Sequence, residues 1–220
     1  MDNFSIGHYN GVILDFDGTM CFLFRDYDLS KTVKQIISEV SVLGVDISNI
    51  NDPFDAFNMI LCQSITDDIK IQALAIVDKL LVKAECEAAK YCNVVNGLWC
   101  FISKLKQMKI PFGIATNNGD ECVRLFLKIH AMDDYIPING RIMKHPELLK
   151  PNPWSIIKTA GEMKVDISKT LFIGDTPRDW ETAKNAGCGF IGIAPTERKR
   201  VRFDAVSYGE SLLTDYYDII

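Results

Sequence analysis

The chain is short of histidines, has no paired cysteines, no long apolar run and no excess of positive charge. Each shortage removes a class of protein. Its three histidines, His8, His130 and His145, lie outside every motif and are read as structural or solvent-facing. The seven cysteines (Cys21, Cys62, Cys86, Cys92, Cys100, Cys122, Cys188) are scattered, odd in number and free of any Cys-x-x-Cys pair. That argues against a zinc site, a redox dithiol or a disulfide scaffold. Basic residues number 24 against 29 acidic ones, for a net charge of −5, so binding of duplex nucleic acid through bulk charge is not expected. Uncharged runs such as residues 91–103 are too short and too polar to span a bilayer. The opening Met1-Asp2-Asn3 offers neither the basic start nor the apolar stretch of a signal peptide, so a reduced cytoplasm is the expected location. There is no internal repeat and no low-complexity segment.

What is present is a chain of 220 residues, 48% of them hydrophobic, long enough for one domain or one domain with a modest insertion. Short branched runs at residues 11–16, 110–115, 170–174 and 189–194 predict strands buried on both faces, as in a parallel sheet. Between them, apolar residues recur at helical spacing: Leu98, Ile102 and Leu105; Val123 and Leu127; Trp154, Ile157 and Ala160; Trp180, Ala183 and Ala186. Strands alternating with helices from residue 96 onward indicate an α/β fold with a mainly parallel sheet flanked by helices. Residues 21–92 break this rhythm with helical periodicity alone, including a long helix capped by Thr66 or Asp67. They therefore predict an inserted all-helical domain within a core made of residues 1–20 and 93–220. The basic run Arg198-Lys199-Arg200-Val201-Arg202 reads as a solvated loop rather than a nucleic-acid patch.

The chemistry gathers where the strands stop. The first ends in Asp15-Phe16-Asp17-Gly18-Thr19, the second in Thr116-Asn117-Asn118-Gly119, and the third in Gly174-Asp175-Thr176-Pro177-Arg178-Asp179. In parallel α/β sheets, sites form at the carboxyl ends of strands, so these groups can converge although distant in sequence. Lys150, in Lys150-Pro151-Asn152-Pro153 ahead of a helix, is a candidate to join them, with Lys144 as its rival.

In these four stretches, their order and their spacing, the chain resembles the haloacid dehalogenase superfamily, on its phosphatase branch. The helical insertion after the first motif resembles members with a helical cap, phosphoglycolate phosphatase among them. The resemblance implies a Rossmann-like core and hydrolysis of a small phosphorylated metabolite. Asp15 would act as nucleophile through an aspartyl-phosphate, and Asp17 as acid and base. Thr116 and Asn117 would hold phosphoryl oxygens, aided by the N–H groups of residues 117–119 at a helix start. Lys150 would balance charge there. Mg²⁺ would be held among Asp15, Asp17, Asp175 and Asp179, with Asp179 alternatively orienting Lys150. The presence of Asp17 argues against carbon–halogen or carbon–phosphorus cleavage. A sugar phosphomutase and a catalytically silent phosphate binder remain as alternatives, and either a monomer or a homodimer is compatible. The segment after the first motif, Met20 to Tyr27, departs from relatives, so their specificities do not transfer. Within it Arg25 is a candidate for pairing with an anionic group of the substrate, against the blander expectation of a surface arginine paired with Asp26 or Asp28.

Overall fold

The computed structural model describes residues 6–132, 135–206, 208 and 212–220. Five strands form one sheet: β1 (Gly11–Leu14), β4 (Phe112–Ala115), β5 (Ile138–Asn139), β6 (Thr170–Gly174) and β7 (Gly189–Gly192). Their order is β5-β4-β1-β6-β7 and every pairing is parallel. β1 is buried along its whole length, as a central strand requires. Its side chains alternate between two packing layers. Val12 and Leu14 join a cluster with Ile114, Leu171 and Phe126, while Ile13 faces Phe172, Ile156 and Ala183 on the opposite side.

Helices α4 (Leu98–Gln107), α5 (Asp120–Ile129), α6 (Trp154–Met163) and α7 (Pro177–Ala186) lie between the strands, as the periodicity predicts. β5 has only two residues and no alternation to betray it in the sequence. The basic run is not a loop: it forms α8 (Glu197–Asp204), capped by Thr196, whose hydroxyl accepts the Lys199 N–H. Phe203 anchors this helix in a small cluster with Ala194 and Tyr208.

Between β1 and β4 stand α1 (Ser30–Ser41), α2 (Asp55–Leu61) and α3 (Asp67–Ala89). They bury their own apolar cluster, with Val33, Ile36, Val40, Phe57, Ile60, Val77 and Leu81 at its centre. α3 begins at the expected cap, the Thr66 hydroxyl accepting the Ile69 N–H. Its far end joins a different cluster, because Ala88 and Ala89 pack with the sheet and with α5 residues Cys122 and Phe126. The chain enters and leaves this helical segment through β2 (Cys21–Phe22) and β3 (Asn93–Val94), which pair antiparallel with each other.

Strand order reverses about β1: the chain passes from β1 to β4 on one side and reaches β6 on the other. Such a switch point opens a crevice at the carboxyl ends of the adjoining strands. Asp15, Thr116 and Asp175 each follow the last residue of β1, β4 and β6 and thus rim that crevice.

The helical cluster has its own stability signature. Phe57 is fully buried in it, so Phe57→Ala is expected to cost about 3–5 kcal/mol through lost transfer energy and the cavity left behind. Urea denaturation followed by tryptophan fluorescence and by circular dichroism measures that loss.

Candidate active site

β1 stops at Leu14, and the turn that follows separates the two carboxylates of the first motif. Asp15 stays close to the sheet, its N–H donating to the Ile173 carbonyl at 2.9 Å. Its Oδ1 accepts from the Lys150 ammonium at 2.6 Å. Asp17 turns elsewhere, and its Oδ1 accepts the Leu23 N–H at 2.8 Å. Gly18 makes the separation possible with φ +87°; a β-carbon there would collide with the carboxylate of Asp175 and the ammonium of Lys199.

Lys150 is buried and bridges two carboxylates, donating to Asp15 and, at 2.5 Å, to Oδ1 of Asp179. The other oxygen of Asp179 accepts the Thr176 N–H at 3.0 Å and the Thr176 hydroxyl at 2.6 Å, closing a capping box at the start of α7. Asp179 is thereby locked in place and orients the lysine. Burial alone would lower the affinity of the Lys150 amine for its proton, but Asp15 and Asp179 outweigh it and hold its pKa above the usual value. Lys144, the rival candidate, is exposed.

Three carboxylates, Asp15, Asp175 and Asp179, bring one oxygen each within 4.8 Å of one another, and all three are buried. Asp175 also contacts the ammonium of Lys199, which donates in addition to the Gly18 carbonyl at 3.1 Å. Despite these partners, burial pushes the carboxyl of Asp175 up to about 7 and raises that of Asp15 as well. The carboxylates of Asp15, Asp17, Asp175 and Asp179 outnumber the two lysines, Lys150 and Lys199, set among them. Clustered oxygens with that surplus are the donor set a hard divalent cation takes. The carboxylate of Asp17 stands outside this trio, which departs from the expected ligand set. Burial raises it to about 6.

On the β4 side the expectation needs correcting. Thr116 is buried, and its hydroxyl donates to the Asn118 side-chain oxygen at 3.0 Å while accepting the Asn118 N–H at 3.2 Å. The Gly119 N–H donates to Glu85 at 3.0 Å. Two of the amides expected to receive phosphoryl oxygens are therefore already engaged within the protein. The side-chain oxygen of Asn117 accepts the Lys150 N–H at 2.9 Å, so this residue positions the lysine's backbone.

Residues 78, 85 and 141 form a network that the sequence reading missed. Glu85, on α3, is fully buried and meets Arg141 through two parallel bonds of 2.9 and 3.2 Å, besides accepting from the Asn118 side chain at 3.0 Å. Arg141 continues to Asp78 at 2.7 Å and to the Asn117 carbonyl at 2.8 Å. A glutamate on the apolar period of α3, between Leu81 and Ala88, was the available signal. Through this network the helical segment grips the loop after β4.

Two openings lead from the crevice. One, of about 200 Å³, is lined by Asp15, Asp17, Lys150 and Asp175 below and by Asp52, Phe54 and Arg202 above. The other, of about 620 Å³, starts at Asp17, Gly18 and Asp175 and runs past Phe22, Arg25 and the α8 side chains. Arg25 is exposed and lies over the Phe22 ring at 3.6 Å, rather than pairing with Asp26 or Asp28.

A buried acidic cluster at the switch point of a parallel sheet, with Lys150 and Lys199 set among its carboxylates, is a site of the α/β class. The chain belongs to the haloacid dehalogenase-like hydrolases, whose family model matches residues 12–193. It is similar to a phosphoglycolate phosphatase of Neisseria meningitidis, 23% identical over 87% of this chain and 83% of that protein. A phosphoglycolate phosphatase of Vibrio vulnificus is 25% identical over 83% of this chain and 82% of the other. Among solved structures, a haloacid dehalogenase hydrolase of Entamoeba histolytica superposes with a TM-score of 0.66 at 21% identity, covering 96% of this chain and 95% of that one.

Removing the charge of Glu85 leaves the buried Arg141 with Asp78 as its remaining carboxylate partner. Glu85→Gln is expected to destabilise the protein by about 3–5 kcal/mol, whereas Glu85→Met combined with Arg141→Met loses less, since the fully buried pair is removed whole and only the more exposed Asp78 loses a partner. Equilibrium denaturation of both variants beside the parent protein gives the comparison.

Proposed function

We propose that this protein is a Mg²⁺-dependent phosphatase that hydrolyses a small phosphate monoester in the cytoplasm through an aspartyl-phosphate. The observation that carries the reading is the meeting of Asp15, Lys150, Asp175 and Asp179 in one buried crevice beside the separately oriented Asp17. The names of the relatives agree with it. Among the described residues, no helix is long and apolar enough to cross a membrane.

In this reading a carboxylate oxygen of Asp15 attacks phosphorus while the ester P–O bond breaks, leaving the phosphoryl group on Asp15. Asp17, whose carboxyl retains its proton up to about pH 6, donates that proton to the departing alkoxide. The resulting Asp17 carboxylate then takes a proton from water as the water oxygen attacks phosphorus. The bond to Asp15 breaks, inorganic phosphate leaves, and both side chains return to their first state. Lys150, fixed by Asp179 and by the Asn117 hold on its backbone, supplies positive charge beside the nucleophile. The Thr116 hydroxyl lies at the rim to serve a phosphoryl oxygen once Asn118 releases it. Mg²⁺ held by Asp15 and Asp175, with Asp179 alongside, would neutralise the remaining charge of the cluster and of a phosphate dianion.

We read residues 21–92 as a cap over a core of residues 1–20 and 93–220. Asp52 and Phe54 reach the opening above the carboxylates, and paired β2 and β3 form the stalk.

The test is phosphate release from p-nitrophenyl phosphate and from alkyl phosphates, with Mg²⁺ and with a chelator. Release is expected only with the metal and is lost in Asp15→Asn. In Asp17→Asn, turnover of alkyl phosphates is expected to fall by about 10²–10⁴-fold. p-Nitrophenyl phosphate, whose leaving group needs no proton, falls less. Interconversion of sugar phosphate isomers without phosphate release, followed by phosphorus NMR, would overturn the reading.

A further inference from the structure

We propose that the substrate carries a second phosphate group, bound by Arg25, Arg198 and Arg202 in the larger cavity beside Asp17. The inference rests on the phosphatase reading above and names the class of ester that reading leaves open.

Position is the first argument. The cavity begins at Asp17, Gly18 and Asp175 and extends away from Lys150. Asp17 is the group that serves the leaving oxygen in that reading, and of the two openings it lines this one, at about 620 Å³ against about 200 Å³, has the room for whatever is attached to that oxygen.

Charge is the second. The cavity is lined by Arg25, Arg198, Lys199 and Arg202, and its acidic residues are only Asp17 and Asp175. Lys199 is committed to Asp175 and to the Gly18 carbonyl. The three guanidiniums, in contrast, have no ion pair or hydrogen bond among the described residues; the ring of Phe22 beneath Arg25 is their one polarisable support. Arg198 and Arg202 stand four residues apart on α8 and so share a face, where like charges repel and weaken a helix. A solvated helix face gains nothing from that arrangement, while an anion between them would.

Chemistry and size narrow the ligand. A guanidinium offers paired N–H donors that match two phosphate oxygens, and its charge does not titrate away. Three of them from two separate segments suit a dianion better than one carboxylate, which would leave most of the positive charge unbalanced. A space of about 620 Å³ also exceeds what a two-carbon acid needs and accommodates a phosphorylated sugar or polyol. Phe22 and Phe24 supply apolar walls for its carbon chain.

The experiment compares kcat/KM of the full-length enzyme, with Mg²⁺, for a hexose bisphosphate, the matching hexose monophosphate, phosphoglycolate and p-nitrophenyl phosphate. The bisphosphate is expected to exceed the monophosphate and phosphoglycolate by about tenfold or more, the worth of one charge-assisted pair. Arg198→Gln and Arg202→Gln are expected to shrink the bisphosphate-to-monophosphate ratio, chiefly through KM. Arg198→Lys, which keeps the charge but loses the paired donors, should restore it in part. Added salt should shrink the same ratio in the parent enzyme. Hydrolysis of p-nitrophenyl phosphate without preference for the bisphosphate, a preference for phosphoglycolate, or a ratio indifferent to both substitutions overturns this inference alone. Absence of phosphate release from every ester overturns the phosphatase reading, and this inference with it.

Discussion

A single buried ammonium makes the crevice possible. Asp15 and Asp179 could not share that space as carboxylates without Lys150 between them, because burial penalises each charge and each repels the other. The lysine is held in turn at both ends of its residue: its N–H by Asn117 and its ammonium by Asp179, which the capping box of α7 immobilises. The loops after β1, β4 and β6, and the segment before α6, thus meet through one residue. Loss of that charge would leave the nucleophile candidate Asp15 buried without its cationic partner.

Charge around the crevice is zoned. Its floor is lined by the carboxylates of Asp15, Asp175 and Asp179, with Lys150 and Lys199 set among them. The wall along the larger opening is basic and comes from elements far apart in the chain, the turn after β2 and helix α8. A cation drawn to the floor and an anion drawn to the wall do not compete for one place. This separation also resolves an oddity of composition. A chain of net charge −5 concentrates four of its basic residues within a five-residue stretch and places three of them, Arg198, Lys199 and Arg202, in the cavity it shares with Asp17 and Asp175.

The strands and their terminal acids were legible in the sequence because buried parallel strands leave continuous branched runs, and a motif must follow directly after them. The helical segment was legible from its periodicity and its single cap at Thr66. Side-chain direction was not. Asp17 sits two residues from Asp15, yet the turn at Gly18 sends it toward Leu23, away from the trio. The amides at 118 and 119 looked available because a sequence does not show which acceptors lie across the fold; Thr116 and Glu85 take them. The basic run looked like a loop because its apolar anchor, Phe203, follows it rather than recurring within it.

α3 spans 23 residues, about 35 Å at the rise of an α-helix, and belongs to both halves of the molecule. Ala73 to Leu81 pack with α1 and α2, whereas Ala88 and Ala89 pack under the sheet, and Glu85 is clamped by Arg141 between them. In mechanical terms it is a lever whose short arm is embedded in the core. Arg141 grips the helix at both Asp78 and Glu85, so the embedded stretch reaches back about two turns, and β2 and β3 pair alongside. α1 and α2 are thus mounted on a continuous helix anchored in the sheet layer, and not on a slack linker.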